Sequence, residues 1–273
     1  MKKVIITLMG ACLIGAVAIT TQASPQDDLQ QFRSYFKERF PEVPMDEYSN
    51  GLYAFPAAGD RRAEWEQIEE FPPYEIDISQ GEQFWKANGL GSCMTHPATN
   101  YPRWDAATKQ IVTAEQDINA CLKKLGKEPI KDLKKGTMAH VMAHYRNQYR
   151  GQRVKLDYPF NDPDALAAYE MGKTYFWAKR GQLNFSCANC HVHSAGKFIG
   201  GNILSAALGH TTNFPVYRNK WGGLGTLHRR YGGCNKQVRA KPLKAQSAEY
   251  RALELYETYM ATDLPLTAPG NRG

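Results

Sequence analysis

Apolar residues recur at helical spacing in several stretches separated by proline and glycine. Between Gln26 and Phe40, Leu29, Phe32, Phe36 and Phe40 fall three or four residues apart with charges between them. This pattern predicts an amphipathic helix that lays one stripe on the body or on a partner. Pro41 and Pro44 end it. Asn50 to Asp60, with Gly51, Pro56 and Gly59, reads as loop, and Glu64 to Phe71 as a helix stopped by Pro72-Pro73. Helical pattern resumes over Gln80 to Trp85. It returns from Leu133 to Tyr149, where Met138, Val141, Met142 and Tyr145 share a side. Two more helices are predicted over Ala165 to Lys179 and over Ser247 to Thr262, the last with Leu253, Tyr256 and Met260 on one stripe. Gly151 to Asp162 reads as a linker. Period-two alternation is scarce, so the fold class is mainly α.

One apolar run differs from the rest. Val4 to Ile19 follows Met1-Lys2-Lys3 and precedes Thr21-Gln22-Ala23, the layout of a secretory signal peptide cleaved near Ala23. The run is short and passes at once into polar sequence, which argues against a retained membrane span. Export to the periplasm is expected. Loss of Lys2 and Lys3 with the leader lowers the formal charge from +7 to +5. Of the six cysteines, Cys12 lies in the leader, and five remain.

The two halves echo each other. Tyr101-Pro102 precedes Cys121 by the same 19 residues, counted from proline, that separate Phe214-Pro215 from Cys234. A helical stretch leads to Cys93 in the first half, and another leads to Cys187 in the second. A duplicated unit is the simplest account. In the first copy, Cys93-Met94-Thr95-His96-Pro97 lacks the second cysteine and the histidine that follow Cys187. Cys93 and Cys121 are then free to form a disulfide across a separation of 28 residues. His96 as a ligand is the weaker alternative. His140 and His144, one turn apart, lack a third ligand nearby and read as packed or solvated side chains.

Cys187-Ala188-Asn189-Cys190-His191 carries the strongest chemical signal. C-x-x-C-H is the attachment signature of a c-type haem. Two thiols add across the vinyl groups, and the adjacent imidazole is placed to ligate iron. A zinc knuckle would need a second ligand pair at short spacing. A thioredoxin-like motif would need a βαβ setting, and a disulfide over so short a spacing would leave His191 idle. One covalently attached haem c is expected.

The opposite face of the iron has five candidates: Met260, His193, His210, His228 and Cys234. Met260 falls on a core stripe, and His193 is too near His191 to reach across; His210 and His228 stay open. Cys234 follows Tyr231-Gly232-Gly233, which lets backbone approach a flat cofactor. Arg229, Arg230, Lys236, Arg239 and Lys241 surround it in sequence, a setting that favours the thiolate. The alternative is a buried, inert cysteine. From Met171 to Ala248 there are twelve Lys or Arg and no Asp or Glu. Such a field draws in small anions or an acidic protein. No nucleic-acid motif accompanies it.

At Cys187-Ala188-Asn189-Cys190-His191, followed by Arg230-Tyr231-Gly232-Gly233-Cys234-Asn235, the chain resembles the SoxA family, catalytic cytochrome subunits of sulfur-oxidising systems. The resemblance covers essentially the whole mature chain, on the single-haem branch. It implies two cytochrome c-like domains in tandem, only the C-terminal one retaining haem. The expected division is a signal peptide at 1–23, an extension at 24–73, a haem-less domain at 74–155 and a haem domain at 156–273. Cys187 and Cys190 would hold the haem, with His191 and Cys234 as axial ligands. Cys234 would be the catalytic residue, carried as a persulfide, and Arg230 would bind substrate. The implied reaction is oxidative conjugation of thiosulfate to a cysteine of a SoxYZ carrier, with electrons passed to c-type cytochromes. SoxX, a small haem protein, would be the partner. A plain electron-transfer subunit is the alternative function.

Overall fold

The computed structural model describes residues 23–272. The expected signal peptide at 1–23 lies almost wholly outside them. Nine α-helices follow one another among the described residues: α1 (Pro25–Arg39), α2 (Asp60–Glu70), α3 (Glu75–Asn88), α4 (Ala114–Lys124), α5 (Thr137–Asn147), α6 (Pro163–Trp177), α7 (Cys187–His191), α8 (Leu227–Gln237) and α9 (Ala248–Met260). Strands are two or three residues long. β1 (Arg103–Asp105) pairs with β2 (Gln110–Val112), and β3 (Phe198–Ile199) with β4 (Asn202–Ile203), both antiparallel. β5 (Val216–Arg218) lies between β6 (Gly223–Gly225), antiparallel, and β7 (Gly270–Asn271), parallel. The mainly α expectation holds. The segment read as loop from Asn50 instead carries 3₁₀ turns over Met45–Ala54 and Pro56–Ala58.

Local chemistry fixes the helix starts. Ser24 caps α1 and exchanges hydrogen bonds with Asp27, and Thr113 does the same with Gln116 at α4. Asp162 caps α6, with Pro163 in the first turn. α1 buries Leu29, Phe32 and Phe36, and Phe32 meets Phe176 of α6 edge-on at 6.2 Å. The amphipathic helix therefore lies on the body of the molecule.

Two helix pairs form the framework, α3 with α5 and α6 with α9. Each crosses at a glycine. A Cβ on Gly81 would stand 2.0 Å from the carbonyl oxygen of His140, and a Cβ on Gly172 would stand 2.0 Å from that of Ala252. Only glycine lets the backbones approach so closely. The sequence echo continues in the elements between. Both aromatic–proline steps are cis, each opens a short antiparallel pair, and each pair leads into a helix bearing the later cysteine: Cys121 in α4 and Cys234 in α8.

The cores are not segregated along the chain. The largest joins Phe36 and Tyr48 to Tyr169, Phe176, Tyr250 and Tyr256. A second joins Leu90, Ile118, Leu122, Met138 and Val141 to Leu266 and Ala268 from the C-terminal tail. The stretch read as a linker ties the halves together: Val154 N donates to Leu264 O at 2.9 Å and Leu266 N to Gln152 O at 2.8 Å. No helix among the described residues is long and apolar enough to cross a membrane.

Candidate functional site

The C-x-x-C-H pentad is itself a short helix, α7. Ser186 caps it: Asn189 N donates to Ser186 Oγ at 3.1 Å, and Ser186 N donates to Asn189 Oδ1 at 2.9 Å. One intervening residue thus pins the turn, while the other, Ala188, is buried. Cys187 and Cys190 are free thiols. Burial raises the Cys187 thiol to about 12, with Glu257 adding, and burial also raises that of Cys190. Arg180 Nη1 approaches Cys187 Sγ at 3.5 Å.

His191 is oriented by backbone. Its Nδ1 lies 2.9 Å from the carbonyl oxygen of Ser205, and a carbonyl can only accept. The proton therefore sits on Nδ1, and Nε2 presents its lone pair. This is how a metal-binding histidine is usually held. Burial, and then the neighbouring His210, keep the ring neutral well below the usual imidazole range.

Behind it runs a buried chain of polar groups. The His210 ring stands edge-on to His191 at 4.2 Å between centroids. Its Nε2 meets Ser205 Oγ and its Nδ1 meets Glu257 Oε1, each at 3.0 Å, and Tyr231 OH donates to Glu257 Oε2. Burial raises Glu257 to about 7.

The five residues expected from sequence as candidates for a second iron ligand have distinct surroundings. Both ring nitrogens of His210 are engaged, on the His191 side. His228 is buried; its Nδ1 accepts from Gln246 N at 2.9 Å, and its Nε2 lies 2.9 Å from Glu254 Oε2. Met260 is 1% exposed in the core. His193 is exposed against Trp177. Cys234 is partly exposed on α8, and the electrostatic influence of its sulfur reaches Cys187, Cys190 and Arg218.

Arg230 stands one turn before Cys234 on α8, so the two share a face. Its charge is felt by Cys190, His191 and His210. Arg229 turns away, over the Trp221 ring at 4.3 Å. Lys236, Arg239 and Lys241, expected around the sulfur from sequence, are exposed to solvent. Sequence reading missed Arg218 and Arg272, which crowd Arg230; only strand pairing brings the tail of the chain to this place. It also missed the Ser205 carbonyl and the His210–Glu257 pair. The segment that supplies Ser205 and His210 carries no periodic signal.

In the first half, Cys93 and Cys121 are joined in a disulfide with Cα atoms 5.8 Å apart. His96 is exposed and edge-on to Tyr101. His140 Nε2 lies 3.3 Å from Asp77 Oδ1, and His144 Nε2 lies 2.7 Å from Gln148 Nε2. Among the described residues no group of three or more His, Cys, Asp or Glu is arranged to hold a metal ion.

A helical framework around C-x-x-C-H, with a histidine presenting Nε2, defines a protein of the cytochrome c class. A family profile described as "SoxA/TsdA, cytochrome c domain" matches residues 81–154. The chain is 48% identical to the L-cysteine S-thiosulfotransferase subunit SoxA of Allochromatium vinosum, over 98% of this chain and 96% of that one. It is 43% identical to the subunit of the same name from Chlorobaculum thiosulfatiphilum, over 93% and 90%. A crystal structure of SoxXA from P. pantotrophus superposes with a TM-score of 0.69 at 29% identity, covering 77% of this chain and 84% of that one. The chain belongs to the family of SoxA subunits of L-cysteine S-thiosulfotransferase.

Proposed function

We propose that this subunit conjugates thiosulfate to a cysteine of a SoxYZ-like carrier protein, with Cys234 as the reacting sulfur and Arg230 as the substrate-binding cation. In balance, a carrier thiol and thiosulfate give a carrier S-thiosulfonate, one proton and two electrons. The electrons pass to c-type cytochromes. The single observation that carries the reading is the placement of Cys234 and Arg230 one turn apart on α8, beside the C-x-x-C-H helix.

The residues fit one covalently attached haem c. Cys187 and Cys190 are free and lie together on α7, His191 offers Nε2, and a Cβ on Gly233, next to Cys234, would meet nothing within 4 Å. Cys187 and Cys190 would hold the group covalently, and His191 and Cys234 would be the residues that ligate its iron. Bound there, haem c supplies a one-electron redox centre. The Ser205 carbonyl keeps the imidazole in the ligating tautomer. Arg230 offers the thiosulfate dianion a fork of charge-assisted donors, beside a sulfur able to form a covalent adduct and pass it on.

We read residues 74–155 and 156–273 as tandem cytochrome c-like domains, the first without haem. Support comes from the repeated order of elements and from the disulfide. Cys93 and Cys121 occupy the places that Cys187 and Cys234 occupy in the second copy. The same two positions that close on each other in the first half would help hold the cofactor in the second. A SoxX-like small cytochrome c completes the enzyme, and the leader sends the chain to the periplasm.

Cys234→Ser tests the function. Thiosulfate-dependent turnover should fall at least 1,000-fold, on the order of a lost nucleophile, while haem content stays at one per chain. Retained turnover would leave only a plain electron carrier. Arg230→Ala should raise KM for thiosulfate roughly tenfold or more, as for a charged hydrogen bond worth about 1.5–3 kcal/mol, without altering the haem spectrum.

A further inference from the structure

The chain of polar groups behind His191 ends on the helix that carries Cys234. His191 Nδ1 lies 2.9 Å from Ser205 O, and Ser205 Oγ lies 3.0 Å from His210 Nε2. His210 Nδ1 in turn lies 3.0 Å from Glu257 Oε1, and Tyr231 OH donates to Glu257 Oε2. Ser205, Tyr231 and Glu257 are all buried. One carboxylate of α9 thus holds α8 with one oxygen and the loop behind His191 with the other. Tyr231 directly follows Arg230 and precedes Cys234 by three residues.

α8 is seated on α9 through polar groups. Apart from Leu227, the buried residues of α8 are His228, Tyr231 and Asn235. Each meets a polar side chain of α9. His228 Nε2 lies 2.9 Å from Glu254 Oε2, Asn235 Nδ2 donates to Tyr250 OH at 2.8 Å, and Tyr231 meets Glu257. Gly232 and Gly233 between them offer no side chain to interlock. Apolar packing is non-directional, whereas a hydrogen bond fixes distance and angle. The seam therefore sets how α8 is rotated about its axis. Side-chain tips lie about 5 Å from a helix axis, so a turn of about 12° moves them by about 1 Å. A misplacement of that size costs up to about 100-fold in rate.

We propose that Glu257 and Tyr231 are positioning residues for sulfur transfer: the carboxylate fixes the rotation of α8, and with it the places of Arg230 and Cys234, against the loop that holds His191. The proposal rests on the reading of Cys234 as the reacting sulfur. Both side chains are buried and act through the helix rather than on thiosulfate.

The test uses the matured complex with its small cytochrome partner, in wild-type, Tyr231→Phe, Glu257→Gln and Glu257→Leu forms. Tyr231→Phe removes one hydroxyl and leaves the ring. Its kcat with thiosulfate should fall roughly 10- to 100-fold, the range for losing an outer partner of a site. KM should stay within about threefold, because Arg230 keeps its charge. The low-temperature spin-resonance lines of the ferric haem should broaden at unchanged haem content, as a looser α8 spreads the surroundings of the iron. Backbone amides of α8 should exchange roughly tenfold faster or more, as for one lost hydrogen bond to a charged group. Glu257→Gln keeps an acceptor for Tyr231 and a donor for His210, and should recover most of kcat. Glu257→Leu loses both and should fall at least as far as Tyr231→Phe, with the double variant no lower. Should it fail to mature, Tyr231→Phe decides alone.

Tyr158→Phe is the control, since its buried hydroxyl donates to Ala165 O at 3.0 Å in the stretch before α6. It should lower the thermal midpoint and leave kcat, the spin-resonance lines and α8 exchange unchanged. If Tyr231→Phe behaved like this control, the chain would be a packing contact and the proposal would fall. It would also fall if KM rose with kcat kept, or if kcat fell with spectrum and exchange unmoved, because Tyr231 would then act on substrate directly. A wild-type complex that carries haem but turns over no thiosulfate would sink the reading of Cys234, and this proposal with it. An active wild type beside an unaffected Tyr231→Phe sinks this proposal alone.

Discussion

The disulfide carries the simplest single-residue prediction. Cys121 is buried, and its bond to Cys93 closes a separation of 28 residues against the core that holds Leu90, Ile118 and Leu122. Loop-closure entropy for that length gives about 3.5 kcal/mol. The double variant Cys93→Ala, Cys121→Ala should lose roughly that much in urea unfolding while keeping its thiosulfate turnover, since neither sulfur lies at Cys234. Equal midpoints for the two proteins would show that the bond does not brace the domain. At this scale the sequence was legible where chemistry is local. Two thiols and an imidazole within five residues stand out without any tertiary context, and the structure gathers Cys187, Cys190 and His191 on one short helix. The Cys93–Cys121 pair followed from counting which thiols remained. Arg272 was invisible, because its significance depends on a parallel pairing with β5 across more than fifty residues.

Helix periodicity exposed α1, α2, α5, α6, α9 and part of α3 but not α4 or α8, and the crossings that position the helices rest on contacts no periodicity encodes. Gly81 and Gly172 each sit in a helix interior, where glycine is costly by itself, and each faces a backbone carbonyl of the partner helix. The Gly172→Ala variant should lose about 1–3 kcal/mol or more, the range for overpacking a tight contact, and Gly81→Ala should lose a similar amount. Gly232→Ala is the control. A Cβ there would meet only Pro242 Cβ at 3.8 Å, so helix propensity should prevail and stability should rise by up to about 1 kcal/mol. Thermal midpoints of the three variants decide the matter. If all three moved alike, the close crossings would not be what demands glycine in α3 and α6. The short strands, by contrast, were beyond sequence reading: with two or three residues each, β1 to β7 are too brief to show alternation.

Across the whole molecule, the two halves meet through buried charge. Glu115 of α4 and Arg146 of α5 come from the first half, His228 of α8 and Glu254 of α9 from the second. Glu115 is 3% exposed, and its Oε2 has no hydrogen-bond partner. Burial, and then the Glu254 carboxylate, raise it from 4.5 to about 7. Burial lowers the neighbouring Arg146, so each of the two is pushed toward its neutral form. For a carboxyl whose folded value is raised, the folded state holds the proton more tightly than the unfolded chain does. Its contribution is therefore full below 4.5 and is lost as pH rises through about 7. The loss amounts to about 3 kcal/mol at most, at 1.36 kcal/mol per tenfold. Glu115→Gln cannot ionise and should escape it. Its stability should match wild type near pH 4.5 and exceed it increasingly up to pH 8, by as much as several degrees in the thermal midpoint. Parallel curves for the two proteins across that range would mean that Glu115 is ionised in the folded protein and held so by Arg146 and His228. In that case the junction between the halves is an ion-pair network rather than a protonated acid, and Arg146→Met should then destabilise the chain more at pH 8 than at pH 4.5.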